Sequence, residues 1–195
     1  MASTKSFHQT ARVHETQQHY RGALFSFVSE DVTLPNGSRA QLGMVRHPGS
    51  TAVVPLFEDG SVLMERQYRH VVGKYLLEIP AGTMEPGESP LTCAGRELEE
   101  ETGYTAGHFV ELCRVDIVPA YSDEKIHVFL AQSLKQSEQK LDKDEIIEIV
   151  KFPFEEALEM CQQGKISDAL TLLALQRTWF YLQKQNASHP PGQSR

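Results

Sequence analysis

The chain has 195 residues, 40% of them hydrophobic, and a formal net charge of −7. That is enough apolar material for one substantial core but not for two full domains. The acidic balance, with no basic stripe to release counterions, argues against a nucleic-acid backbone as the main partner. No apolar run approaches the length of a membrane span, and the first 19 residues are polar rather than signal-like. The three cysteines, Cys93, Cys113 and Cys161, are odd in number and lack metal-ligand spacing, so they read as thiols of a reducing cytoplasm.

In chain order, residues 1 to about 20 show no clear period, and 186–195 forms a polar tail with Pro and Gly; both ends are expected to be mobile. Residues 24–34 and 39–46 read as strands around Leu34-Pro35-Asn36-Gly37, where Asn-Gly signals a hairpin. A second hairpin is expected from 52–57 and 61–65 around Asp59-Gly60. The apolar strand Leu76-Leu77-Glu78-Ile79 precedes a loop over 81–87 rich in Gly and Pro. A helix follows: Ser89 can cap it, Pro90 is tolerated at its first position, and Gly103 supplies the stop. Leu91, Ala94, Leu98 and Thr102 recur at the spacing of one buried stripe. Strands near 109–117, 125–131 and 148–152 come next, then helices over 154–163 and 167–185, the latter with a core stripe of Leu170, Leu173, Ala174 and Trp179. The sum is an α/β chain with a mixed sheet between helices and no internal repeat.

The predicted helix carries the chemistry. Glu97 and Glu101 are four residues apart with Glu100 beside them, so the three carboxylates project from one side and repel one another. They also occupy the last turns, where the helix macrodipole disfavours negative charge. Arg96 is the one base in the run and stands four residues before Glu100, within reach to orient it. A ladder of oxygen donors after a glycine loop suits a hard divalent cation.

Gly82, Glu88, Arg96, Glu97, Leu98, Glu100, Glu101 and Gly103 reproduce the spacing of the Nudix box, and the chain resembles that family over roughly residues 20–182. The final box position is usually a small aliphatic and is here Tyr104. The resemblance implies an α/β/α sandwich with a small N-terminal antiparallel β segment: 1–48 as that segment, 49–185 as the hydrolase domain and 186–195 as a flexible tail. It implies hydrolysis of a nucleoside diphosphate linked to another moiety, with Mg²⁺, or Mn²⁺ in its place, held by Glu97, Glu101 and the Ala81 carbonyl. Glu100 is then a shared ligand or an orienting residue, and Glu88 either a site group or a loop anchor. For the proton of the attacking water, Glu145 matches the family's acidic position ahead of Asp144 and Glu148; it is the base or a further metal ligand.

Pro119, fifteen residues past the box, and the following Ser122-Asp123-Glu124 are similar to the marks of the ADP-ribose pyrophosphatase subgroup, although Ala120 replaces its usual glycine. Leu77-Glu78-Ile79-Pro80-Ala81-Gly82 and Arg46-His47-Pro48-Gly49 resemble it too. That subgroup implies ADP-ribose cleaved to AMP and ribose 5-phosphate, and a homodimer joined through the N-terminal strands near Tyr20 to Arg46. Arg69 matches its substrate-facing arginine, and Glu78 would position an arginine or a ribose hydroxyl. Tyr20, Arg46, Pro119 and Glu124 complete the substrate-binding set. Other nucleotide sugars, and a Nudix-fold sensor that binds without cutting, stand as alternatives.

Overall fold

The protein is seen in a computed structural model that describes residues 10–141, 143 and 145–188. Its chain divides into two compact units, Met1–Pro48 with Asp116–Glu124, and Gly49–Val115 with Lys125–Arg195. The short segment 116–124 therefore leaves the domain in which sequence order alone would put it.

The first unit is an antiparallel sheet of β1 (Arg12–Arg21), β2 (Ser26–Thr33) and β3 (Arg39–Arg46), in that order. β2 alternates as a half-buried strand should, with Val28, Glu30 and Val32 inward. The β2–β3 turn closes where Asn-Gly predicted: the Gly37 N–H donates to the Leu34 carbonyl at 2.8 Å, and Gly37 takes φ 85°. β1 is a regular strand in a stretch where the sequence shows no clear period. All ten of its residues are exposed, so no buried face imposes an alternation for a reader to detect.

The second unit holds two sheets. β7 (Ala81–Thr83), β4 (Ser50–Pro55), β9 (Lys125–Gln136) and β8 (Tyr104–Asp116) form a mixed sheet in which β4 runs antiparallel to β7 and parallel to β9. β10 (Ile147–Pro153), β5 (Ser61–Arg69) and β6 (Lys74–Glu78) form an antiparallel one. All six residues of β4 are buried, as a run without alternation requires when both faces are covered. α1 (Pro90–Thr102) sets Ala94 and Leu98 against Val53, Phe129 and Ala131, while α3 (Ala169–Ser188) also packs on β4 and β9. α2 (Phe154–Gln162) lies on β10 and β5. Helices around a mixed sheet agree with the expected fold class.

Three local expectations are overturned. The predicted 52–65 hairpin pairs only at its tip, through the bridge of Leu56 with Val62, because β4 and β5 diverge into different sheets. In α3 the inward stripe is Thr171, Ala174, Leu175 and Thr178; Trp179 is exposed, and packs edge-on against Phe180. The helix also continues through Ser188, past the expected start of the tail. In α1, Leu91 is 53% exposed, and Cys93 takes its place in the buried stripe. Tyr104, the departure from the box pattern, packs edge-on against Phe57 with centroids 5.3 Å apart.

Candidate active site

Local signals set the position of α1. The Ser89 hydroxyl accepts the Thr92 N–H at 3.2 Å, Pro90 opens the first turn, and Gly103 at φ 71° donates its N–H to the Glu99 carbonyl at 2.8 Å. The helix thereby turns Glu97 and Glu101 inward beside Ala94 and Leu98, with 8% and 3% exposure. Glu100 does not share their direction: its side chain is 43% exposed.

Arg96 ties this helix to the loop before it. Its Nη1 donates to Glu97 Oε1 at 2.7 Å and to Glu100 Oε2 at 3.0 Å; its Nε and Nη2 donate to the two Glu88 oxygens at 2.9 and 3.0 Å. Nη2 also reaches the Thr83 carbonyl at 3.2 Å. Glu88 accepts the Glu85 N–H at 2.9 Å as well, and the Arg96 guanidinium holds its carboxyl down at about 2. Glu88 is thus the anchor that closes the loop, one of the two roles open to it from sequence.

Across from the helix, the Ala81 N–H donates to Glu101 Oε2 at 2.9 Å. Gly82 has no side chain for a steric reason: a Cβ there would lie 2.0 Å from the Glu97 carboxylate carbon. Arg69 grips Glu78 bidentately, with Nε at 3.1 and 3.2 Å from its two oxygens and Nη2 at 2.6 Å from Oε2. Beside this pair lies a residue the sequence reading passed over. Glu65 is fully buried in β5, and neither of its carboxylate oxygens accepts a hydrogen bond.

The electrostatics show a charge imbalance. Burial, then the Glu78 charge, pushes Glu65 up to about 8. Burial also raises Glu101 well above the usual carboxylate range; the charges of Glu65, Glu97 and Glu145 add to the rise and the Ala81 N–H opposes it. Glu97 rises through burial against the pull of Arg96. Buried carboxylates that repel one another fit a cation. Among the described residues no group of three or more His, Cys, Asp or Glu side chains is placed so that it could hold a metal ion. An all-oxygen donor set of a few carboxylates suits a hard divalent ion whose remaining positions are filled by water and phosphate.

The NUDIX domain family matches residues 46–174 of the chain. The chain belongs to the Nudix family. An ADP-ribose pyrophosphatase of Bacillus subtilis (strain 168) is 39% identical over 88% of this chain and 91% of its own length. A methanol dehydrogenase activator of Bacillus methanolicus is 38% identical over 89% and 92%. The crystal structure of an ADP compounds hydrolase superposes with a TM-score of 0.79 at 26% identity, covering 91% of this chain and 96% of that one. The protein is therefore a Nudix hydrolase, and hydrolases of this family generally need divalent metals.

Within the Nudix domain, Ala81, Glu97, Glu101 and the Arg69–Glu78 pair belong to the second unit, as does Glu145, whose charge acts on Glu65, Glu97 and Glu101. Glu148 pairs with Arg66 at 3.1 Å, both side chains largely exposed. Asp144 lies outside the described residues. The remaining expected substrate residues belong to the first unit. Arg46 bridges Glu30 at 2.5 Å and Asp123 at 2.9 Å, and Glu124 sits 3.6 Å from His47. Pro119 is exposed in the turn before β9, and Tyr20 is 54% exposed against Phe25. A signal for Glu65 was present in the sequence: past Val62-Leu63-Met64, the strand continues to Arg69 with Glu65, Gln67 and Arg69 on one face. Its reading as a short strand ending at Glu65 hid that polar face.

Proposed function

We propose that this Nudix hydrolase cleaves the diphosphate of a nucleoside diphosphate sugar in the presence of Mg²⁺, with ADP-ribose giving AMP and ribose 5-phosphate. The observation that carries this reading is the buried acidic pair Glu97 and Glu101, with the Ala81 N–H on Glu101 and the Arg69–Glu78 clamp in the same unit. The activity of the Bacillus subtilis relative, an ADP-ribose pyrophosphatase, supports the choice of substrate.

Glu97, Glu101 and the Ala81 carbonyl hold the cation, which supplies charge neutralisation to the diphosphate. Arg69 offers its remaining N–H groups to the phosphate oxygens, and Glu78 fixes the plane of its guanidinium. Arg96 orients Glu97 and Glu100 from the outer side, which leaves Glu100 as a positioning residue. Glu145 takes the proton from the attacking water. Water adds across the P–O–P bridge, so one phosphomonoester forms on each side.

The first unit supports a homodimer. β1 is a ten-residue edge strand exposed throughout, and Val13, Tyr20, Phe25, Phe27 and Leu42 expose apolar surface on that unit. Tyr20, Arg46, Pro119 and Glu124 are then substrate contacts at the paired surface. The free thiols Cys93, Cys113 and Cys161 agree with a reducing cytoplasm, and no helix among the described residues is long and apolar enough to cross a membrane.

The test is a panel of ADP-ribose, other nucleotide sugars and dinucleotide polyphosphates, each with Mg²⁺ and with chelator, scored for released phosphomonoesters. Metal-dependent release of AMP and ribose 5-phosphate is expected. Preference for another nucleotide sugar corrects the substrate, and no product from any member overturns hydrolysis in favour of a sensor.

A further inference from the structure

The segment after β9 takes no part in the chemistry proposed above, yet it closes the end of the box helix. A helix leaves its last four carbonyls without intrahelical partners, and at this end of α1 the acidic side chains add to the negative pole of the macrodipole. The Gly103 N–H takes the Glu99 carbonyl, as a left-handed cap does. The next two carbonyls are satisfied from outside the helix. The Lys140 N–H donates to the Glu100 carbonyl at 2.8 Å, and Gln139 Nε2 donates to the Glu101 carbonyl at 2.6 Å. Ser137 completes the strap: its N–H donates to the Gly103 carbonyl at 2.7 Å and its hydroxyl to Glu99 Oε1 at 2.5 Å.

The same contact accounts for the glycine that ends the box. Besides the strain of a side chain at φ 71°, a Cβ on Gly103 would lie 3.0 Å from the Gln139 nitrogen, so the missing side chain leaves the space in which the strap passes.

The strap leads into the loop of the proposed base. Glu145 follows shortly after Lys140 in the chain, and the residue after it is fixed in turn: the N–H of Tyr68, next to Arg69 on β5, donates to the Ile146 carbonyl at 3.2 Å. Hydrogen bonds thus tie both flanks of Glu145, one to the helix that carries Glu97 and Glu101 and the other to the strand that carries Arg69. Releasing one flank moves what lies between, and a reacting group tolerates little displacement.

We propose that Gln139 is a positioning residue for the hydrolysis: by bonding the Glu101 carbonyl it fastens the loop of Glu145 to the box helix and sets where Glu145 stands. The inference rests on the reading of Glu145 as the group that takes the proton from water, and adds to it a side chain outside the box.

The experiment compares wild type, Gln139→Met, Glu145→Gln and the double variant in steady-state cleavage of the panel member that wild type cleaves best, at saturating Mg²⁺, with a thermal melt of each. Met matches Gln in length and lacks its N–H donor, and Gln139 is exposed, so the core stays intact. Gln139→Met should lose about tenfold or more in kcat, with KM changed less and the melting temperature lower by a few degrees at most. Glu145→Gln should lose about a hundredfold or more, and the double variant no more than Glu145→Gln alone, since the strap then has nothing to position. Wild-type kcat in Gln139→Met, or a double variant that loses the product of the two single losses, overturns the role of Gln139 and leaves that of Glu145 standing. Wild-type kcat in Glu145→Gln overturns the base assignment on which the inference rests. Should Gln139→Met fail to fold, Gln139→Ala decides by the same criteria.

Discussion

Gly82→Ala tests whether the Glu97 carboxylate must occupy its observed place. A Cβ at position 82 would lie 2.0 Å from Glu97 Cδ and 2.1 Å from Oε1, whereas ordinary contact begins at 3.4 Å. The carboxylate would have to retreat by about 1.4 Å. No left-handed backbone is involved at Gly82, and the obstructing atoms are the far end of a flexible side chain, so the fold can yield. Moving that end off its rotamer costs about 0.5–1.5 kcal/mol, and a chain of this size loses roughly 2–4 °C per kcal/mol. The melting temperature should fall by only a few degrees. Activity should fall much further, because a displacement of about 1 Å at a reacting centre is worth on the order of 10²-fold. The assay pairs kcat/KM for ADP-ribose cleavage under saturating Mg²⁺ with a thermal melt of the same preparation. Wild-type kcat/KM in Gly82→Ala, or a collapse of the fold that accounts for the lost activity, refutes the placement of Glu97 as the critical group.

Further outcomes follow from the same geometry. Glu101→Gln keeps an acceptor for the Ala81 N–H but removes a charge, so it should fold by circular dichroism and lose more than about a hundredfold in turnover at any Mg²⁺ concentration. Arg69→Lys replaces the fork that clasps Glu78 with a point charge; the loss of one charge-assisted hydrogen bond, roughly 1.5–3 kcal/mol, should raise KM about tenfold or more in steady-state kinetics while kcat changes less. Glu88 is depressed from 4.5 to about 2, so its contribution to stability is complete above about pH 4.5 and is lost as the pH falls toward 2. Melting profiles of Glu88→Gln should therefore be lower than wild type at pH 7 and flatter between pH 4.5 and 2; parallel profiles would contradict the anchor role.

The sequence by itself determined the box helix and its chemistry. Ser89, Pro90 and Gly103 are local signals whose effect lies within one helical turn, and the spacing of Glu97 and Glu101 needs only 3.6 residues per turn to put both on one side. Arg96 and Glu88 were legible for the same reason, since both belong to the fixed spacing of the box. Other features depended on partners far along the chain. Divergence of β4 and β5 into separate sheets is decided by β9 and β10, which local turn chemistry at Asp59-Gly60 does not encode. The inward face of α3 is chosen by what β4 and β9 offer it, so Thr171 and Thr178 are buried while Trp179 is not. β1 pairs through its backbone with both faces exposed, which leaves no periodicity to read. Glu65 shows the distinction most clearly. A glutamate after three apolar residues looks like the end of a strand, and only the tertiary structure, by placing it opposite Glu78 and removing it from water, pushes its carboxyl up to about 8.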